Sequence, residues 1–404
     1  MERIVVVGAG QAGASLVAKL RTGGFTGTIT LIGEEPVPPY QRPPLSKKYL
    51  LGEMALERLF LRPESYYADN RIDLHLNETV TAIDRADRQV IAGGRAIPYD
   101  ALVLTTGSVP RRLPGAIGGE FAGVHVVRDL RDVDTMAPEF EEGRHVLIVG
   151  GGYIGLEAAA VAASRGLKVT LVEMADRILQ RVAAPETSDY FRRLHRDHGV
   201  DIREGVGLEH LTETGGRVKG AILSDGSELS VDFVIVGVGI TPATELAATA
   251  GLEIENGIRT DSMGRTSDPA IWAAGDCASF PFGAERLRLE SVPNAIDMAE
   301  CVAENILGAG KDYVPQPWFW SDQYDVKLQI AGLGNGYDLV VTRQGDGAGH
   351  VSFWYYRGNE LLAVDAMNEP RAYMVGKRLI DAGKSPDPEV VANPGTDLKA
   401  LLKA

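Results

Sequence analysis

Arg3-Ile4-Val5-Val6-Val7-Gly8-Ala9-Gly10-Gln11-Ala12-Gly13 runs from a β-branched strand straight into a glycine-rich turn, and an Ala/Leu-rich helix follows to about Leu20. A continuous apolar run of this kind predicts a parallel strand buried on both faces. The three glycines serve different purposes. Gly8 permits the tight turn, Gly10 lets a pyrophosphate reach the backbone, and Gly13 lets helix and strand pack closely. The helix N-terminus then offers unpaired N–H groups to phosphate charge. A second strand, 28–32, ends at Gly33-Glu34. Its carboxylate lies about 20 residues past the last glycine, where it can accept hydrogen bonds from ribose hydroxyls. A glycine string alone often marks only a tight turn; here strand, fingerprint, helix, strand and acid follow in order.

The unit then repeats. Residues 146–149 form a strand, Gly150-Gly151-Gly152-Tyr153-Ile154-Gly155 a second fingerprint, and 156–164 a helix. The next strand, 169–172, ends in Glu173. An acid there pairs with a free ribose 2′-hydroxyl and repels a 2′-phosphate, so the second unit is predicted to prefer NADH to NADPH. Two units imply two dinucleotides and an α/β fold with two Rossmann-like domains.

Length and composition set the outer limits. The 404 residues, 45% of them hydrophobic, allow several cores. At roughly 100–200 residues per domain, two to four domains are expected. No stretch reaches the roughly 18 uninterrupted apolar residues that span a bilayer, and the opening Met1-Glu2-Arg3 leads into a strand rather than a signal peptide. No membrane partner is expected, and the predicted location is cytoplasmic. Cys277 and Cys301 are the only cysteines. Their spacing provides neither a disulfide framework nor a metal-ligand set, so no metal is expected and any iron–sulfur centre must belong to a partner. A formal charge of −14 argues against nucleic acid. It also means that an acidic protein partner would need a local basic patch. Arg286, Arg288, Lys311 and Lys327 are the candidate cations, and a solvated face is the competing reading of each.

A third signal lies far downstream, where the strand of 271–273 runs through Ala274 to Gly275-Asp276. With Gly8, Gly10, Ala12, Gly13 and Glu34, it resembles the FAD-binding pattern of the two-dinucleotide-binding flavoproteins. The resemblance implies that Asp276 binds the ribityl–phosphate region of FAD; a helix-capping aspartate is the alternative. It also implies a discontinuous FAD domain of residues 1–115 and 242–317, an NAD domain of 116–241, and a C-terminal α+β domain of 318–404 closing over the flavin. The segments at 105–107, with Thr106 and Gly107, and at 237–242, with Gly239, look like the family's two crossing segments.

Arg42-Pro43-Pro44-Leu45-Ser46-Lys47 narrows the resemblance. Two prolines fix a rigid turn, and the string is similar to that of the ferredoxin reductases serving cytochromes P450 and aromatic-ring dioxygenases. In those proteins the arginine lies near the FAD phosphates and the lysine near the flavin. The resemblance carries these roles to Arg42 and Lys47, against the alternative of a solvated basic loop. It also pairs Lys47 with Glu157, the acid that extends the second fingerprint, so that the nicotinamide is held over the flavin. A plain helix-dipole acid is the other reading of Glu157. Tyr153, beside Ile154, would be the lid on the flavin face, or else a core aromatic. The resemblance further assigns FAD contacts to Val80, Arg131 and Val292, and brings Glu290 to the nicotinamide side. Trp320, in an aromatic run beginning at Trp318, is a cofactor-edge residue or simply core.

The activity so implied is hydride transfer from NADH to FAD, then single-electron transfer to a [2Fe–2S] ferredoxin that feeds a P450 or dioxygenase. No acid or base is required for that chemistry. A disulfide or CoA-disulfide reductase needs a thiolate at the flavin, and no Cys-x-x-Cys or Cys-x₄-Cys follows the first fingerprint. A rubredoxin reductase remains the nearest enzymatic alternative. A redox-responsive NADH-binding flavoprotein resembling apoptosis-inducing factor is the non-enzymatic one.

Overall fold

The β-branched run at the N-terminus forms the centre of a parallel sheet, because Ile4–Val7 have apolar neighbours on both faces and are at most 6% exposed. In the computed structural model, which describes residues 1–403, the strand Arg3–Val7 pairs in parallel with Thr28–Ile32 and with Ala101–Leu104. Ile72–His75 and Ile271–Ala273 complete the five strands at the two edges. The helix Gln11–Thr22 lays Leu16, Val17 and Leu20 on this sheet at 0% exposure. Each such side chain contributes roughly 1.5–3 kcal/mol by leaving water.

A second five-stranded parallel sheet repeats the plan around His145–Val149, flanked by Lys168–Glu173 and Phe233–Val236, with Asp201–Glu204 and Val124–His125 outside them. Its fingerprint helix spans Tyr153–Ser164, three residues earlier than the apolar pattern suggested, because Gly152 caps it. A further helix, Pro185–Asp197, presents Thr187, Phe191 and His195 at i, i+4 and i+8, all at 0% exposure. This spacing puts them on one face.

From Trp318 the chain changes style and forms an antiparallel five-stranded sheet in the order 318–323, 326–332, 360–367, 351–357, 339–344. The helix Pro370–Asp381 covers it through Val375 and Leu379, against Trp354 and Val364. The tail beyond is held by Arg343. Its guanidinium, 9% exposed, donates to the carbonyls of Val391, Asn393, Pro394 and Thr396 over 2.6–3.0 Å.

The chain divides into two compact units. Met1–Arg42, Met54–Val109 and Ile240–Pro317 make the first; Pro43–Glu53, Pro110–Gly239 and the residues from Trp318 onward make the second. The short Pro43–Glu53 segment therefore packs with the second sheet, where Leu50 and Leu51 join the core and the Tyr49 hydroxyl donates to Asp134 at 2.8 Å. Among the described residues, no helix is long and apolar enough to cross a membrane.

Candidate functional site

Both fingerprints fold into the same backbone device. Gly8 has φ +112°, and a Cβ there would sit 2.2 Å from the Thr105 carbonyl oxygen; Gly150 has φ +109°, with its Cβ position 2.4 Å from the Gly237 carbonyl oxygen. Only glycine fits such a left-handed, crowded turn. Gly13 and Gly155 let each helix close onto its own turn, since a Cβ on either would lie within 2.1 Å of the preceding Gly8 or Gly150 carbonyl oxygen. Gly10 and Gly152 are the opposite case: they cap the helices with no side-chain hydrogen bond, and a Cβ on either would meet nothing within 4 Å. Free backbone N–H groups beside open space suit a pyrophosphate, so the residues of both cradles fit a dinucleotide.

In the first unit, Thr105 Oγ1 donates to the Gly8 carbonyl at 2.8 Å and Thr106 Oγ1 to the Ala243 carbonyl at 2.6 Å. The Ala243 amide returns a bond to the Gly107 carbonyl, and this closes the crossing segment. Asp276 follows Gly275, whose Cβ position would lie 3.1 Å from that of Ala12. The Asp276 carboxylate accepts from Ser108 Oγ at 3.0 Å. Glu34 is exposed. Its neighbour Glu35, which the sequence did not single out, takes the Arg42 guanidinium at 2.5 Å and the Tyr40 hydroxyl at 2.5 Å. Val80 is buried at the start of a strand, and Val292 opens the helix Val292–Ile306, which Ser291 caps. Glu290 is held by Arg288 at 2.7 Å.

In the second unit, Glu173 turns back on its own fingerprint, accepting from the Gly151 amide at 2.7 Å and the Ala175 amide at 2.8 Å. Arg177, the nearest downstream cation, is committed to Ser188 Oγ at 2.6 Å. Gly239, at φ +98°, lies 4.0 Å from the Arg181 guanidinium, measured at its Cβ position. Ile154 is 45% exposed at the helix start. Tyr153 packs on Phe319 with ring centroids 4.9 Å apart, and its buried hydroxyl has no hydrogen-bond partner among the described residues. Trp320 is half-buried beside Trp318, 5.5 Å between centroids. Arg131 points outward at 87% exposure, so its ion pair with Asp129 at 3.8 Å is weak.

Buried charge concentrates at Lys47. Its ammonium lies 2.9 Å from Glu157 Oε1, with the two side chains 15% and 5% exposed. Ser321 Oγ donates to the same oxygen at 2.7 Å, and Ser46 Oγ to Oε2 at 3.3 Å. Burial holds the Glu157 carboxyl above its ordinary value, and Lys47 and the two serines pull it only part of the way back. Three donors converging on two oxygens favour the carboxylate. The second fingerprint helix supplies the acid and the Pro43–Glu53 segment the cation, at the Lys47 backbone where the chain leaves helical geometry.

Three of the four candidate surface cations are neutralised within their own unit. Arg286 bonds the Thr260 and Ser279 carbonyls and pairs with Glu255, Arg288 pairs with Glu290, and Lys311 with Glu304. They do not form a free basic patch. Both cysteines are buried with thiols pushed up by burial, so neither offers a thiolate.

Two glycine cradles and a buried lysine–glutamate pair, without a redox-active thiol, define an FAD-dependent oxidoreductase that uses NAD(H). The chain belongs to the pyridine nucleotide-disulphide oxidoreductase family, whose pattern matches residues 2–299, and residues 318–402 match the pattern described as reductase C-terminal. It is 41% identical to a rhodocoxin reductase of Rhodococcus erythropolis over 99% of this chain and 94% of that one. Identity to a putidaredoxin reductase of Pseudomonas putida is 40%, over 100% and 97% of the two chains. The solved covalent putidaredoxin reductase–putidaredoxin complex superposes with a TM-score of 0.95 at 39% identity, covering 100% of this chain and 98% of that one.

Proposed function

We propose that the chain oxidises NADH and passes the electrons singly to a small [2Fe–2S] ferredoxin, which feeds a cytochrome P450 or ring-hydroxylating dioxygenase. The observation that supports this most is the buried Lys47–Glu157 pair at the head of the second fingerprint helix. The whole-length similarity to reductases named for rhodocoxin and putidaredoxin supports the class of acceptor. FAD, when bound, supplies the conversion between two-electron and one-electron chemistry.

This chain's residues bind, orient and exclude water. In this reading residues 1–115 and 242–317 hold FAD, through Gly8, Gly10, Ala12, Gly13, Glu34, Arg42, Val80, Thr106, Gly107, Asp276 and Val292. Arg131 and Trp320 are assigned to the same cofactor. Residues 116–241 hold NADH, with Gly150, Gly152, Ile154, Gly155, Glu173 and Gly239 around the nucleotide and Glu290 reaching it from elsewhere in the chain. Residues 318–404 form the domain that closes over the flavin. Tyr153 is the lid that the nicotinamide displaces. Lys47 and Glu157 fix the approach of the nicotinamide and need move no proton. Two free, buried thiols accord with a reducing compartment such as the cytoplasm.

Anaerobic stopped-flow tests this directly: the FAD-loaded protein is mixed with NADH and then with an oxidised [2Fe–2S] ferredoxin. Fast bleaching followed by fast ferredoxin reduction is expected. Slow bleaching without onward transfer, or onward transfer to rubredoxin alone, would overturn the assignment.

A further inference from the structure

Glu157 is the end of a longer chain of hydrogen bonds, and its polarity can be worked out from the carboxylate outward. A carboxylate only accepts, so Ser321 Oγ, 2.7 Å away, must donate to it. With its hydrogen committed, Ser321 Oγ accepts from Gln323 Nε2 at 3.1 Å. The amide oxygen of Gln323 then faces His195 Nε2 at 2.7 Å and needs a donor there. His195 Nε2 must therefore carry a proton, and in the neutral ring the bare Nδ1 accepts from the Tyr324 hydroxyl at 3.2 Å. Every hydrogen in the series points toward Glu157.

Two further observations agree. His195 is 0% exposed, and burial drives its pKa down to about 4, which keeps the ring neutral. Tyr324 is the first residue of the two-residue turn between the strands Trp318–Gln323 and Val326–Gly332, at φ +55°. A bulky residue is out of place in that left-handed region. It is held there by its bond to His195 and by stacking on His198, with centroids 3.7 Å apart. Strain of this kind persists where surrounding contacts over-determine it.

We propose that His195, acting through Gln323 and Ser321, is a positioning residue for hydride transfer: it sets the direction of the hydrogen-bond chain that keeps Glu157 ionised and aimed at Lys47. This rests on the reading of Lys47 and Glu157 given above. The groups facing Glu157 are Lys47 and Ser46 from one segment and Ser321 from the C-terminal sheet. Those facing His195 are Gln323, Tyr324 and His198.

The test has two parts. Nitrogen NMR of the ¹⁵N-histidine-labelled, FAD-loaded protein at pH 6 should show His195 as the neutral Nε2–H tautomer; a cationic ring or the Nδ1–H tautomer would overturn the proposal. In anaerobic stopped-flow, His195→Phe and Gln323→Leu should lower the limiting rate of flavin reduction roughly tenfold, the order of one charge-assisted hydrogen bond, with NADH affinity nearly unchanged. His195→Gln, which keeps an N–H near the Nε2 position, should restore most of the rate. Wild-type rates in His195→Phe, or a His195→Gln variant as slow as His195→Phe, would sink the idea. Should the Phe variant fail to fold, Tyr324→Phe removes one hydroxyl at the turn and must shift the His195 nitrogen signals; unchanged signals count against the chain. Glu157→Gln is measured alongside. If it alone is slow, only the role of His195 fails; if it also reduces at the wild-type rate, the reading of the lysine–glutamate pair fails.

Discussion

The two fingerprints are near copies in backbone and differ in what is hung upon it. Gly8 and Gly150 share the same φ to within a few degrees, and both helices begin at a glycine N-cap that offers no side-chain hydrogen bond. Side chains diverge at matching places. Where the first helix has Gln11 and Ser15, whose side chains meet each other at 3.5 Å, the second has Tyr153 and Glu157. The strand register aligns Val7 and Ile32 with Val149 and Val172, so Glu173 occupies the place of Gly33 and the first unit's acid comes one residue later. The shared glycines make a generic dinucleotide cradle. The few differing side chains place a buried ion pair at the head of the second helix and none at the matching place of the first among the described residues.

Equivalent lesions should therefore have unequal consequences, and the largest come from the shared backbone. Gly8→Ala places a Cβ against the Thr105 carbonyl and should cost about 3 kcal/mol or more. The protein would be purified without its yellow colour. Gly150→Ala should keep the flavin but lose reduction by NADH. Equal FAD retention in both variants would break the comparison.

Next come the matching helix positions. Glu157→Gln leaves Lys47 buried without its counter-charge and should slow flavin reduction about 10- to 100-fold. Ser15→Ala should change stability by less than about 0.5 kcal/mol and leave the rate alone. Replacing Lys47 should likewise slow reduction, and an unaffected rate would undo its pairing with Glu157. At the strand ends, Glu173→Ala should lower the preference for NADH over NADPH about tenfold, whereas Glu34→Ala should leave the ratio unchanged. An unaltered ratio in the first variant would remove Glu173 from nucleotide selection.

A last comparison concerns a brace beside the second cradle, where two opposed effects of pH hide one another. Asp365 is fully buried under the Tyr355 and Thr187 hydroxyls, and burial pushes its carboxyl up to about 6; His195, on the same helix as Thr187, is pushed down to about 4. The histidine's contribution to stability is complete above its unfolded pKa of about 6.5 and is lost as pH falls toward 4. That of the aspartate is complete below its unfolded pKa of about 3.9 and is lost as pH rises through 6. Between 4 and 6 the two slopes cancel. Asp365→Asn should unmask a loss of stability on acidification, and His195→Phe a gain, each up to about 1.4 kcal/mol per pH unit. Denaturant midpoints across that range decide the matter; slopes of the same sign would refute the pairing.

Much of the fold is readable in the chain, because the turn, the close helix and the open cap each demand glycine at a fixed spacing. The strands 3–7, 28–32, 146–149, 169–172 and 271–273 fall where apolar runs predict them, whereas the strands at 72–75, 124–125 and 201–204 carry no such signal. The Lys47–Glu157 ion pair follows only from a resemblance, since 110 residues separate its members and no local pattern joins them. The extension through Ser321, Gln323 and His195 is invisible in the sequence for the same reason. The packing of Pro43–Glu53 with the second sheet depends on where Leu50 and Leu51 find apolar neighbours, which spacing does not encode. The candidate basic residues mislead because a sequence shows cations without their partners.

The Arg343 clamp has a practical corollary. Four carbonyls between Val391 and Thr396 wrap one guanidinium like a crown ether around an ion. Trimming the chain anywhere before Thr396 would strip acceptors from a cation that has little access to water. A fused electron-transfer partner should therefore be tethered beyond Leu402, with that sheath intact.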